Sequence, residues 1–263
     1  MPGAVLLHLG HQVSWSAWHF DPVIIAGLFF GAVSYAYGMH ELRVRWSWWR
    51  TACFYTGMVA VFIALVSPLD AGAERLLSLH MLQHVLITTI GPPLILLGLP
   101  IGLLQPLLKW PSLHRAVGLL TMPVFTAGLF IVNMWFWHIP PVYDAALNHI
   151  YVHAAMHIAM LLTGILFWWP VIEPMPVPSR LGDGGRLLYL FVSGFPMGLL
   201  ALLLISSGNV VYDYYEQQGT FWGISAMADQ QVAGVIMGAL GEAASFVAIS
   251  LLFFRFLDRE AAR

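Results

Sequence analysis

Seven apolar runs, near residues 21–40, 51–67, 76–98, 117–138, 148–170, 187–206 and 228–254, set the rhythm of the chain, and short polar stretches separate them. A transmembrane helix needs about 20 apolar residues to cross roughly 30 Å of hydrocarbon, and these runs match that length. Backbone amides and carbonyls in lipid must be satisfied within the structure, so continuous runs of this kind are helices. The pattern predicts an all-α fold, a polytopic membrane helix bundle with seven transmembrane helices. It forms a single integral-membrane domain over 1–263, with 1–20 as an extracytoplasmic N-terminal segment. Composition agrees: 59% of the residues are hydrophobic and 9% charged, whereas a soluble domain carries about a quarter charged residues. The N-terminal stretch MPGAVLLHLGHQVSWSAW has neither a basic region nor a sustained apolar core, and it is not expected to act as a cleavable signal peptide.

Charge decides the orientation. Arg43, Arg45 and Arg50 follow the first run, Lys109 and Arg115 the third, Arg180 and Arg186 the fifth, and Arg255, Arg259 and Arg263 the seventh. Basic residues mark cytoplasmic loops. With Arg75 alone on the opposite side, the predicted topology is N-out/C-in. Trp46, Trp48, Trp49, Trp168 and Trp169 then fall at the inner interface, and Trp15, Trp18, Trp135, Trp137 and Trp222 at the outer one. The net charge of −2 argues against nucleic acid as a partner. Cys53 is the single cysteine, so no disulfide and no thiolate metal pair forms within the chain. The single lysine, Lys109, lies in an inner loop, which excludes a retinal Schiff base.

On this map His40 and His114 lie inside, and His8, His11, His19, His80, His84, His138, His149, His153 and His157 lie in outer loops or outer helix ends. The outer side also carries Asp21, Asp70, Glu74, Asp144, Asp213, Glu216 and Asp229, a composition that attracts cations. His80 and His84 are four apart, as are His153 and His157, and such pairs project from one helix face. His138 ends the fourth run, and Asp229 and Gln230 begin the seventh at the same depth. Polar groups at such depths are costly and normally face the bundle interior. Two pairs and a fifth histidine at one level point to a metal site, with His80, His84, His153, His157 and His138 as ligands. His8, His11, His19 and His149 read as interfacial residues.

Imidazole suits zinc, copper, iron and nickel alike, whereas thioether selects Cu(I). Met81, Met134, Met156 and Met160 stand three or four residues from these histidines, and Met237 lies two turns below Gln230, so they are candidate accessory ligands along with Asp229, Gln230 and Glu242. Packing is the competing role for the methionines. Haem is a competing cofactor, but an i, i+4 pair on one helix cannot supply both axial ligands. Gly91-Pro92-Pro93 removes two amide donors and is expected to break or kink the third span near mid-membrane. Glu242, near the midplane, reads as a hydrogen-bonded structural acid or as part of a proton or cation route. Gly234, Gly238 and Gly241 are expected to let helices pack closely.

Several separated motifs resemble the seven-helix cytochrome c oxidase assembly factors of the CtaG type: SPLD at 67–70, HMLQH…PP…LGLP at 80–100, WHIPPVYDAAL at 137–147, H…H…FWWPV at 153–171 and DQQVAG at 229–234. Gly238 in VIMGALGE departs from an aromatic expected in many relatives, which bears on local packing. The resemblance implies a multi-pass protein of the bacterial plasma membrane that helps build a haem–copper oxidase by handling copper for its catalytic copper centre. The implied partners are the oxidase catalytic subunit and a copper donor protein, with the lipid bilayer around them. It does not extend to the single-span copper chaperone that shares the label, because Cys53 cannot form its thiolate site. Two other functions fit the residues: a membrane-embedded zinc hydrolase with Asp229 as base, and a haem-carrying electron-transfer subunit. The topology has a direct test. A reporter fused after Arg263 is expected to behave as cytoplasmic, and an extracytoplasmic signal would invert the orientation of the histidine layer.

Overall fold

A computed structural model describes residues 16–41, 47–100, 103–104, 109–174 and 181–261. His8, His11, Trp15, Arg43, Arg45, Trp46, Arg180 and Arg263 lie outside the described residues, as does most of the N-terminal segment. The described residues are helical throughout apart from turns and one isolated bridge between Phe221 and Ile224. Eleven helices follow in chain order: α1 (Pro22–Glu41), α2 (Trp48–Val66), α3 (Pro68–Ala73), α4 (Leu77–Gly98), α5 (Pro111–Leu120), α6 (Pro123–Trp137), α7 (Pro140–Asn148), α8 (Ile150–Ile172), α9 (Asp183–Ser206), α10 (Asp213–Gln218) and α11 (Ala226–Val235, continuing through Gly241–Ala261). Six of these, α1, α2, α4, α8, α9 and α11, are long and apolar enough to cross a membrane, and α5 with α6 makes a seventh if the bent pair is one span.

That bend corrects the fourth predicted span. The run near 117–138 is two helices meeting at 60°. Pro123 disfavours the helical region for the residue before it, and Met122 is extended at φ −62 ψ 128. The Thr121 hydroxyl caps the end of α5 by donating to the Val117 carbonyl at 2.7 Å. Pro123 then starts α6, where its missing N–H costs nothing.

The third span is also corrected. Gly91-Pro92-Pro93 does not break it. α4 runs unbroken from Leu77 to Gly98, and a π-helical turn over Leu86–Ile90 takes up the disturbance. The Gly91 amide reaches back five residues to the Leu86 carbonyl. The hydroxyls of Thr88 and Thr89 donate to the carbonyls of His84 and Val85, at 2.6 and 2.9 Å. Side-chain donors thus serve carbonyls in a turn whose amide register is shifted, which is how a helix tolerates proline in lipid. A second π-helical turn, Ile236–Leu240, lies in α11 beside α4.

α4 is the centre of the bundle. In its most apolar stretch 61% of residues are buried, against 6% for α1, so α1 is peripheral and α4 is enclosed. α2, α8 and α11 pack around α4, while α9 packs on α11 and α6 on α8. Close approach of helices depends on glycines, among them one in α8 and one in α11. A Cβ on Gly164 of α8 would meet the Thr88 carbonyl oxygen at 2.7 Å and its Cα at 3.0 Å, and one on Gly234 of α11 would meet the Ala201 carbonyl oxygen of α9 at 2.9 Å. Gly234 thus does what its spacing predicts. Trp137 and Trp168, expected at the interfaces, are instead buried in the core with Phe130, Phe167 and Met160. Gly164→Ala is expected to cost about 1–3 kcal/mol by forcing α8 off the π-turn, whereas Gly128→Ala in α6, with open space around it, leaves thermal unfolding in detergent unchanged.

Candidate metal centre

α4 and α8 present their histidine pairs to each other. Within each pair the ring centroids are 4.3 Å apart: His80 to His84, and His153 to His157. Across the helices His80 lies 5.3 Å from His153 and 5.9 Å from His157, and His84 lies 5.6 Å from His157. His138, just past the end of α6, approaches His84 at 6.2 Å. All five predicted histidines therefore share one chamber. His80, His84 and His157 form its tightest part, each offering a ring nitrogen within 4.8 Å of the others. His138 and His153 flank that triad. His149 and His19 are exposed and stand apart from it.

The hydrogen bonds show which nitrogen faces inward. The Tyr215 hydroxyl donates to the Ala73 carbonyl at 2.7 Å, so its oxygen is left to accept. His80 Nδ1 lies 2.8 Å from that oxygen and 2.9 Å from the Tyr143 oxygen, and with the Tyr215 proton given to Ala73 the Tyr215 contact assigns the ring proton to Nδ1. His138 Nδ1 lies 2.7 Å from the Met134 carbonyl, which only accepts, so it too is the protonated nitrogen. In both rings the lone pair is then on Nε2. Burial pushes the phenols of Tyr143 and Tyr215 well above their ordinary range, so both remain neutral and act as hydrogen-bonding groups.

Those Nε2 atoms have no partner. Nε2 of His80, His84, His138, His153 and His157 is buried without a hydrogen bond, and His84 Nδ1 is as well. Buried polar atoms are nearly always paired, and each unpaired acceptor costs about 1–3 kcal/mol. Five in one chamber is the donor set that a borderline or soft metal ion takes. Imidazole–metal bonds are about 2.0–2.1 Å, so the triad draws inward from its spacing of up to 4.8 Å when it closes on an ion. A copper ion fits these residues on that ground.

The remaining candidates are distributed differently. Asp229 accepts from the amides of Leu77 and Ser78 at 2.6 and 3.2 Å. It caps the N-terminus of α4 from another helix and does not turn toward the histidines. Gln230 accepts from the Val211 amide at 2.7 Å and donates to the carbonyls of Leu204 and Asn209 at 3.2 Å, so it ties the α9–α10 loop to α11. Met156 and Met160 are fully buried in the core. Met81, Met134, Met237 and Glu242 line a cavity directly below His84. Sequence reasoning missed Tyr215 and Met197. Tyr143 stood inside WHIPPVYDAAL, but nothing in its spacing pointed to His80. Asp70 was visible only as an outer acid; at the rim it accepts from Gln83 at 2.7 Å and pairs with exposed His19 at 3.1 Å.

The sequence profile of the cytochrome c oxidase caa3 assembly factor family (Caa3_CtaG) matches residues 33–259. The chain belongs to this family. The match takes in every helix of the histidine chamber, and it agrees with the resemblance carried by the sequence motifs. Among curated proteins, the Caa3_CtaG chain is similar to Uncharacterized protein Mb0105 of Mycobacterium bovis, 28% identical over 246 residues, which covers 86% of this chain and 37% of that protein. Uncharacterized protein ML1998 of Mycobacterium leprae is 26% identical over 257 residues, covering 90% of this chain and 39% of that protein. The chain thus spans less than two-fifths of the length of these relatives. No solved structure matches it.

The Asp229 cap fixes where α4 starts and hence the height of His80 and His84. Asp229→Ala is expected to leave two buried amides unpaired and to destabilise the protein by about 2 kcal/mol. Asp229→Asn, which keeps an acceptor, is expected to lose less than half of that in the same thermal unfolding measurement.

Proposed function

We propose that this membrane assembly factor carries copper as cargo for cytochrome c oxidase. It receives the ion from a copper donor protein on the outer side of a bacterial plasma membrane and passes it to the catalytic copper centre of a haem–copper oxidase. The observation that carries the reading is the set of five buried, unpartnered imidazole nitrogens in a family whose function is oxidase assembly. His80, His84 and His157 are the primary ligands, and His153 and His138 complete or exchange with them.

The chain's own groups prepare this site. Tyr215, held by the Ala73 carbonyl, keeps the His80 proton on Nδ1 and aims Nε2 inward, as a metal-bound histidine requires. The Met134 carbonyl does the same for His138. Neutral imidazoles need lose no proton when the ion binds, and the surrounding protein excludes the water that would compete for it. His153 is the least buried of the five, and Asp70 and His19 stand at the same rim, so this is the side from which a cation enters. The reading is favoured over a zinc hydrolase with Asp229 as its base because both Asp229 oxygens accept from amides of α4. It is favoured over haem because the cavity beside the cluster, about 30 Å³, is far too small for a porphyrin.

The test is copper content and oxidase activity in membranes expressing variants at matched protein level. His84→Ala is expected to insert normally while copper retention and oxidase maturation fall together. Tyr215→Phe removes the hydroxyl that accepts from His80 and donates to Ala73, leaving Tyr143 beside His80 Nδ1, and is expected to weaken copper affinity by about 10–100-fold, less than the loss of His84. Normal oxidase maturation with His84→Ala would make the histidine layer structural.

A further inference from the structure

His84 differs from the other four histidines because both of its ring nitrogens are buried and unpartnered. One face of the ring belongs to the triad with His80 and His157. The ring also lines the cavity below, whose wall includes Met81, Met134, Met197 and Met237 and whose far side reaches Glu242. We propose that this cavity is a second cation station, built for Cu(I), to which His84 passes the ion from the histidine triad. The inference rests on the copper reading above and extends it to a second set of ligands deeper in the membrane.

Three observations carry it. The first is chemical: thioethers discriminate for Cu(I) over the harder divalent ions that imidazole also binds, and four methionines line one small space. The second is charge. A monovalent cation among neutral imidazoles leaves a net positive charge away from water, which is costly. Glu242 is the one acid lining the cavity, and its carboxylate balances that charge. A Cβ on Gly194 would meet Glu242 Oε2 at 2.9 Å, so the missing side chain at Gly194 makes room for the carboxyl group. The third is the backbone. The π-helical turns of α4 and α11, Leu86–Ile90 and Ile236–Leu240, flank the cavity, and such turns occur frequently at functional sites. The cavity of about 30 Å³ admits one ion or a water, since a single water needs roughly 10–15 Å³. No redox step is involved: the ion enters and leaves as Cu(I), exchanging imidazole for thioether donors.

The experiment is anaerobic Cu(I) titration of the purified full chain in detergent against a chromogenic Cu(I) chelator, with X-ray absorption of the loaded protein. The wild type is expected to take two equivalents and to show copper–sulfur as well as copper–nitrogen scattering. Met197→Leu/Met237→Leu keeps volume and apolarity, a change that folded cores accept for less than about 1.5 kcal/mol each, and unaltered thermal unfolding verifies this. The double variant is expected to bind the second equivalent more weakly, with the sulfur scattering reduced because Met81 and Met134 remain, and Glu242→Gln to weaken only the second equivalent. Copper bound through nitrogen alone in the wild type, or sulfur scattering and a second equivalent left unchanged in the double variant, would overturn the second station and leave the histidine site standing. A wild type that takes up no Cu(I) would remove both.

Discussion

Five imidazole nitrogens are held away from water with nothing to bond to, and much of this structure follows from keeping them so. An unpaired acceptor in a low-dielectric interior is a standing cost of about 1–3 kcal/mol, and the protein carries several side by side. The easy escape would be for each ring to turn or change tautomer and find a backbone partner. That escape is closed at His80 by Tyr215 and Tyr143, and at His138 by the Met134 carbonyl. Second-sphere groups here hold lone pairs open, which is the opposite of what polar groups in a core usually do for one another.

α4 is the element on which this arrangement hangs. Asp229 fixes its start from α11, while Gly164 lets α8 come close enough to face it. The π-turn at Leu86–Ile90 allows Pro92 and Pro93 into the middle of the span without breaking it. The Asp229 cap and the π-turn satisfy backbone groups that lipid would leave unpaired. The strict satisfaction of the backbone contrasts with the unsatisfied imidazoles, and the contrast separates scaffold from site within one helix.

The family's link to oxidase assembly gives the chamber a direction of use. In the copper role proposed above, cargo is released as well as held, and a site of neutral imidazoles with ligands to spare suits exchange better than a rigid tetrahedral cage. The ring of His84 stands at the junction between that chamber and the thioether-lined cavity. Its position on the inner edge of the triad means that a single side chain touches both environments.

Hydropathy and paired i, i+4 histidines made the helical bundle, most of its spans and the histidine cluster legible in the sequence. These signals are local, because bilayer thickness sets span length and helical periodicity sets which residues share a face. The break at Met122-Pro123 was equally local and was obscured by the apolar run on both sides of it. The π-turn that replaces the expected break at Gly91-Pro92-Pro93 is held by the Thr88 and Thr89 hydroxyls from within the same segment, a pairing that the apolar run and the prolines did not announce. Asp229 and Gln230 have ligand chemistry in the sequence, yet only tertiary packing decides that their oxygens serve the backbone. Tyr215 lies 135 residues from His80, so no spacing rule joins them. Local periodicity determined which helices exist and which faces carry histidine. Packing between helices decided which of those groups are satisfied and which stay open to an ion, because a hydrogen-bond partner in a membrane bundle comes as readily from a distant segment as from a neighbouring turn.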